Sequence, residues 1–325
     1  MLLRLVMYAN DNQAAAGFIS GDRVADFERV GAACSDVKSA CDCPACWESV
    51  LGIITCDACL EAAESYAKWF EELDAATQED VSYPLGEVTL LAPIPAPGKV
   101  FCLAQNFPSH VGEMRKIVRA EVDRLSTGAT PKVFMKPTPN TICGPDAPIL
   151  ISPNAQFIDY EGEVAVIIGS ECKYVEPEQA DQYVAGVTCM NDVSERDLKL
   201  WERTEVGEWD KFFDWLNGKW MDNFAPIGPS VVPAKCVDIN DLNLTCSVNG
   251  ELRQRGNTSE MIHSIAQTIS YISQMLTLQP GDIIAMGTPG GVGKAMDKRL
   301  VAGDEVSVEI EGVGVLRNPV VAETV

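Results

Sequence analysis

The stretch Asp159-Tyr160-Glu161-Gly162-Glu163 runs directly into Val164-Ala165-Val166-Ile167-Ile168-Gly169. The second half is apolar and β-branched and predicts a buried strand. Side chains two apart on a strand share a face, so Glu161 and Glu163 stand side by side at its mouth. Two carboxylates that close resist joint ionisation. A divalent cation between them removes the conflict, which makes the pair a candidate metal site. On spacing alone, an exposed strand edge is the commoner explanation.

Val187-Thr188-Cys189-Met190-Asn191-Asp192 ends another apolar run with a carboxylate, and Asp192 is the third candidate ligand. Three carboxylates on strand ends make an oxygen-rich site with positions left for water and substrate. The chain has only two histidines, His110 and His263. Zinc normally wants His or Cys; an all-carboxylate site suits a hard ion, Mg2+, Mn2+ or Ca2+.

With 325 residues, 46% hydrophobic and 22% charged, the chain can bury a core in one large domain or two unequal ones. Its formal charge of −22 argues against nucleic acid, whose phosphates demand Lys and Arg, and against anionic membranes. No apolar run reaches transmembrane length. The start, Met1 to Tyr8, breaks at Asn10-Asp11-Asn12 and reads as a first strand, not a secretory signal. The expected compartment is the cytoplasm.

Six of the twelve cysteines fall between Cys34 and Cys59. Cys43-x-x-Cys46 and Cys56-x-x-Cys59 form two matched pairs with three readings. They are reduced thiols that simply pack, or a structural Zn2+ site of Cys43, Cys46, Cys56 and Cys59, or a disulfide ladder of Cys43 to Cys59 and Cys46 to Cys56. A reducing cytosol disfavours the ladder.

The proline-rich seam from Val88 to Gly98 places a domain boundary after residue 93. Residues 1–93 are expected to form a small α+β domain, with a hairpin at Gly21-Asp22, the cysteine-rich insert and a helix from Leu60 to Leu73. Residues 94–325 read mostly as strands, with a hairpin at Asn249-Gly250. Helices are expected over 109–125 and over 258–276, the second capped by Thr258 or Ser259. A long insertion, residues 195–217, is rich in Trp and Phe. Strand signals outnumber helices after residue 94, so the fold class is mainly β with α, its sheet closed or sandwiched.

Three further clusters carry chemistry. His110 and Glu113, three apart at a helix start, share a face. A glutamate accepting from histidine fixes its tautomer and makes a water-activating base, although a surface histidine beside an acid is commonplace. Lys219, in Asn217-Gly218-Lys219, sits in a loop suited to an anionic substrate group, or is a plain solvated lysine. Met286-Gly287-Thr288-Pro289-Gly290-Gly291-Val292-Gly293 follows a strand as a phosphate loop would. It lacks the Walker lysine and the dinucleotide glycine spacing. It reads as a tight loop offering N–H donors to a carboxylate or oxyanion.

Taken in order, these residues resemble the fumarylacetoacetate hydrolase family from about Pro93 to Pro319. The resemblance rests on Asn106-Phe107 with His110 and Glu113, on Tyr160-Glu161-Gly162-Glu163, and on Asn191-Asp192-Val193-Ser194-Glu195-Arg196-Asp197. Gly218-Lys219 with Asp222, Val248-Asn249-Gly250-Glu251 and the loop Gly287 to Gly293 complete it. It implies a mixed β-sandwich roll, Mg2+ or Mn2+ held by Glu161, Glu163 and Asp192, and a His110–Glu113 dyad on a mobile lid. It places Lys136, Arg196, Lys219, Gly287 and Thr288 at the substrate, and implies a homodimer acting on a small keto acid. Ala104 and Phe107 stand where the family often has Gly and Tyr, and Lys199 where it often has Gln. These departures, with the 195–217 insertion and the cysteines, bear on substrate identity.

Three activities share this chemistry. The first expectation is hydrolysis of a C–C bond in a 1,3-dicarbonyl acid of the acylpyruvate type. His110 would take a proton from water, and Lys219 would help hold the departing enolate. The alternatives are decarboxylation of oxaloacetate and keto–enol isomerisation. A reading of another class, a non-enzymatic metal- or redox-responsive protein, rests on the cysteine pairs alone. The aromatic insertion either caps the pocket for a bulky tail or packs as an interface.

Overall fold

The strand Gly162–Ile168, buried at every position, runs through the centre of the computed structural model, which describes residues 2–34 and 43–324. Its side chains are sorted between two cores. Val164, Val166 and Ile168 join one, Ala165 and Ile167 the other, because successive strand residues leave opposite faces. A strand covered on both sides needs no polar alternation, which is why the run reads as continuously apolar.

This strand pairs antiparallel with Val184–Asn191 on one side and Ile283–Ala285 on the other. Ala225–Pro233 lies beyond the first neighbour; Val100–Ala104 and then Lys132–Lys136 lie beyond the second. The sheet continues into the N-terminal strands. Leu5–Asn10 joins Ala225–Pro233 with Leu5 opposite Val231, and Gln13–Ser20, Arg23–Asp26 and Ser82–Pro84 extend the edge. The seam at residue 93 thus divides two stretches of chain whose strands share one sheet.

A second sheet has five strands, in the order Glu251–Asn257, Asn243–Val248, Glu305–Ile310, Gly314–Ala322 and Ile149–Ile151. Its Leu244, Cys246, Val306 and Val308 share a core with Val164, Val166 and Ile269 of the helix Ile265–Met275. On the other face of the large sheet, Ile53, Leu60, Ala63 and Phe70 of the helices Val50–Ile54 and Asp57–Glu72 pack with Phe18, Ala165 and Ile167. The architecture is the sandwiched, strand-rich one that the sequence implies.

Several local boundaries differ, among them the helix expected from Leu60 to Leu73, which runs Asp57–Glu72. The helix expected over 109–125 is two, Pro108–Arg115 and Arg119–Ser126, because Lys116 takes a left-handed conformation (φ 55°) and ends the first. The helix expected over 258–276 begins at Ile265. Asn257 caps a short 3-10 turn, and Ser264, not Thr258 or Ser259, caps the helix by accepting the Gln267 N–H. The insertion is an irregular segment leading into the helix Glu208–Asn217. Both hairpins form as read, with Asn249 and Gly250 at φ 52° and 76° in the mirror-image turn that matches strand twist.

Candidate active site

Gly162 lies opposite Asn191 where two central strands end together. Glu161, Glu163 and Asp192, which flank this pair, therefore emerge at one place. All three are buried, and one carboxylate oxygen from each lies within 4.8 Å of the others. Glu161 precedes the first paired residue, yet the register holds. Its N–H donates to Asn191 Oδ1 at 2.9 Å, and the Asp192 N–H donates to its carbonyl at 2.8 Å.

Three cations enter this cluster. Lys219 Nζ donates to Glu161 Oε2 at 2.7 Å and to Asp192 Oδ2 at 2.6 Å. Lys136 donates to Asp192 Oδ1 and, at 2.9 Å, to the Val193 carbonyl. Arg196 donates to Glu161 Oε1 and, at 2.9 Å, to Asp159 Oδ2. Asp159 is fully buried and also accepts the N–H groups of Gly293 and Lys294. Four carboxylates therefore face three cations, and the missing positive charge falls at Glu163, which joins none of these ion pairs.

Glu163 Oε2 accepts the Gly287 N–H at 2.8 Å. Its Oε1 is buried and has no hydrogen-bond partner among the described residues. A bare buried carboxylate oxygen is costly. Burial, then the charges of Asp192 and Glu161, pushes the Glu163 carboxyl well above its ordinary range. Burial acts upward on Glu161 too, but Arg196 and Lys219 outweigh it and hold that carboxyl well below. The oxygen set, the orphaned atom and the charge shortfall together fit a hard divalent cation.

His110 and Glu113 lie on the helix Pro108–Arg115, with His110 Nδ1 3.1 Å from Glu113 Oε1. The glycine-rich loop grips this helix. The Gly291 N–H donates to Glu113 Oε2 at 2.7 Å, and the Gly290 N–H donates to Ser109 Oγ at 3.0 Å. Position 291 requires glycine: φ is 106°, and a Cβ would lie 2.0 Å from the Arg253 carbonyl. The loop does offer N–H donors, as its sequence suggested. They go to the protein's own acids: Gly287 to Glu163, Gly291 to Glu113, Gly293 to Asp159.

His110, Glu161, Arg196, Lys219 and Thr288 open on a cavity of about 700 Å3. Phe134, Phe212, Trp215 and Trp220 give it an apolar wall. Trp215 meets Phe134 edge-on at 5.1 Å, so the insertion helix builds part of the cavity. Lys136 and Gly287, expected at the substrate, are not among the residues lining this space. They stand behind it and hold Asp192 and Glu163.

Sequence reading missed Asp159, Asn191 and Gln254 as site residues. Gln254 accepts the Gly162 N–H at 2.9 Å and donates to Thr288 Oγ1 at 2.7 Å and to the Pro289 carbonyl at 2.8 Å. Its one available signal was an amide at an inward position of an alternating strand. Elsewhere, the thiols of Cys46, Cys56 and Cys59 come within 4.8 Å of one another. Cys43, the fourth zinc ligand expected, is exposed and stands outside that cluster; Cys41 lies outside the described residues.

A strand-rich sandwich whose central strands end in a buried acidic cluster, beside a His–Glu pair at one cavity, has the residue types that a metal-assisted acid–base site would use. Residues 99–321 match the family described as fumarylacetoacetate (FAA) hydrolase C-terminal, and the chain belongs to the fumarylacetoacetate hydrolase family. It is 41% identical over 249 residues to a mitochondrial oxaloacetate tautomerase of Bos taurus, covering 76% of this chain and 73% of that one. The 5-carboxymethyl-2-hydroxymuconate delta-isomerase from Mycobacterium smegmatis is similar with TM-score 0.68 and 30% identity, over 98% of this chain and 100% of that one. Maleylpyruvate hydrolase from Sphingobium sp. SYK-6, solved with manganese(II) and pyruvate, gives TM-score 0.67 at 28% identity, over 99% and 100%. The family is thus one of enzymes: hydrolases, isomerases and tautomerases. Among the described residues no helix is long and apolar enough to cross a membrane.

Proposed function

We propose that this chain is a divalent-metal-dependent enzyme that moves a proton at the carbon beside the ketone of a small 2-oxo acid, interconverting keto and enol forms. The observation that carries the proposal is one cavity lined at once by a histidine paired to a glutamate and by Glu161 and Lys219 of the acidic cluster. A cation held by Glu161, Glu163 and Asp192 would polarise the 2-oxo carbonyl and stabilise negative charge on its oxygen. With Nδ1–H donating to Glu113, His110 keeps Nε2 as the basic nitrogen, which would take the proton from carbon and deliver it to the enolate oxygen, and carry it back in the reverse direction. Arg196 and Lys219 supply positive charge for the substrate carboxylate. The ring wall of Phe134, Phe212 and Trp215 keeps water from the enolate.

Similarity supports proton transfer over hydrolysis. The tautomerase from Bos taurus is 41% identical to this chain, the maleylpyruvate hydrolase 28%. Hydrolysis of an acylpyruvate C–C bond, with His110 taking its proton from water, is the second reading. A cavity of about 700 Å3 with an aromatic wall favours it, being larger than a four-carbon acid needs.

Oxaloacetate tautomerisation, followed by ultraviolet loss of the enol with Mg2+ or Mn2+, tests the proposal beside a panel of acylpyruvates. Acceleration over the buffer rate, lost in His110→Ala, is expected. Acylpyruvate cleavage with no effect on oxaloacetate would overturn it in favour of the second reading. Release of carbon dioxide would establish decarboxylation instead.

A further inference from the structure

The cysteine cluster takes no part in this chemistry, and its thiols do not line the cavity. Cys46 lies in the short helix Pro44–Trp47, Cys56 immediately precedes the helix Asp57–Glu72, and Cys59 lies in that helix's first turn. Cys46 and Cys56 are ten positions apart in the chain, yet their sulfurs and that of Cys59 lie within 4.8 Å of one another. The chain must double back tightly to achieve this. A Cβ on Gly52 would lie 2.5 Å from the Cys46 carbonyl oxygen and 2.9 Å from its Cα, so the helix Val50–Ile54 is pressed against Cys46. The turn is fixed from its apolar side. Trp47 packs on Phe27 at 5.2 Å and on Tyr66 at 5.7 Å, and Val50 and Ile53 are fully buried. Packing has brought three soft donors from two CxxC pairs to one point.

We infer that Cys46, Cys56 and Cys59 are ligands of a structural Zn2+ site, completed by Cys43. Zn–S bonds of about 2.3 Å in a tetrahedron place sulfurs roughly 3.8 Å apart, a spacing the three thiols reach by small adjustments. Cys56 and Cys59 sit at the N-terminal end of a 16-residue helix, where unpaired N–H groups and the helix dipole favour a thiolate. Cys43, exposed just ahead of Pro44–Trp47 and outside the three-sulfur cluster, would have to swing in to supply the fourth ligand. Thiolates select zinc, whereas Glu161, Glu163 and Asp192 select a hard ion, so the two metals sort by ligand chemistry. The site ties the start of the helix Asp57–Glu72 to the preceding turn, and its binding energy adds to the stability of that layer.

Reduced protein produced with added zinc is expected to carry about one tightly held zinc per chain by elemental analysis. Glu163→Gln keeps it; Cys56→Ser combined with Cys59→Ser loses it. Cobalt(II) substitution distinguishes the two centres directly, because only thiolate ligation produces an intense sulfur-to-cobalt charge-transfer band. If the double variant does not fold, the wild-type protein still decides. Alkylation of Cys43, Cys46, Cys56 and Cys59, mapped by mass spectrometry, should be blocked with zinc bound and released by a chelator. Zinc retained by the double variant overturns the inference. So does a cobalt-loaded reduced protein with no thiolate band, alkylation indifferent to zinc, disulfides among these cysteines in protein trapped at lysis, or iron with labile sulfide in place of zinc.

Discussion

Lys219 stands between Glu161 and Asp192, its ammonium 2.7 Å from one carboxylate and 2.6 Å from the other. Burial works against its charge, but Asp192 and Glu161 outweigh burial and hold its pKa above the ordinary lysine value. With Lys136 on Asp192 and Arg196 on Glu161 as well, two acids of the triad are paired from within the protein, and Glu163 is not. The candidate metal centre is lopsided: its net unmet charge and its one bare oxygen belong to the same residue.

Glu163→Gln separates metal binding from internal pairing, because it removes a charge without breaking an ion pair. In metal-free protein the variant should be as stable as wild type or slightly more so, since repulsion with Asp192 and Glu161 disappears. Saturating Mn2+ should stabilise wild type by about 2.7 kcal/mol at a hundred times Kd and the variant hardly at all. Thermal unfolding with Mn2+ and with chelator measures both. An equal metal-induced shift in the two proteins would take Glu163 out of the ligand set.

Lys219→Met does the opposite, leaving Glu161 and Asp192 short of a counter-charge in a site where Lys219 is 2% exposed. Breaking a buried pair from one side costs roughly 3–5 kcal/mol, so a loss near 3 kcal/mol in denaturant unfolding is expected, with added Mn2+ restoring part of it. A loss below about 1 kcal/mol, the range of exposed pairs, would show that Lys136 and Arg196 suffice to balance the cluster.

His110→Ala should lower kcat by about a hundred- to ten-thousandfold, the ordinary worth of a positioned acid–base group. It should leave Mn2+ stabilisation intact, because His110 is not in the triad. Glu113→Gln should fall between this variant and wild type, since it weakens the hold on the His110 tautomer but keeps the imidazole. A turnover number unchanged in His110→Ala would remove the dyad from the mechanism.

The parts of this site legible in the sequence were those with a local period. Glu161 and Glu163 were readable from strand alternation, His110 and Glu113 from helical spacing, and the Asn249-Gly250 turn from backbone chemistry. Residues whose partners lie far along the chain were not. Asp159 was quoted within the deciding stretch, but its role depends on Arg196 and on Gly293, and nothing local to it announces either. Gln254 ties Gly162 to Thr288 from the other sheet, a contact set only by how the two sheets pack. The family resemblance placed Lys136 and Gly287 at the substrate. The structure turns them inward, one to Asp192 and one to Glu163. Helix limits failed where a single left-handed residue, Lys116, or a better cap, Ser264, decided the boundary.

At the cavity rim Lys132 Nζ donates to Gln105 Oε1 at 2.6 Å, and Arg115 donates to the same oxygen at 3.3 Å. Neither has a carboxylate partner among the described residues, in a chain of net charge −22. Burial, then the charge of Arg115, lowers the Lys132 pKa from its ordinary value, as expected of two cations held together with no acid between them. A substrate carboxylate at this end would meet Lys132, which lines the cavity, with Arg115 adding positive charge from outside it. Lys132→Met should therefore raise KM for a 2-oxo diacid about tenfold, equivalent to about 1.4 kcal/mol, and leave kcat unchanged. KM for an analogue with a neutral tail should not move. The pH dependence has a definite sign. Deprotonation removes the positive charge, so KM for the diacid should rise with pH, beginning below the ordinary lysine pKa of about 10.4, while KM for the neutral analogue shows no such rise. Equal changes for both substrates would mean that Lys132 acts on the cavity wall and not on the distal carboxylate.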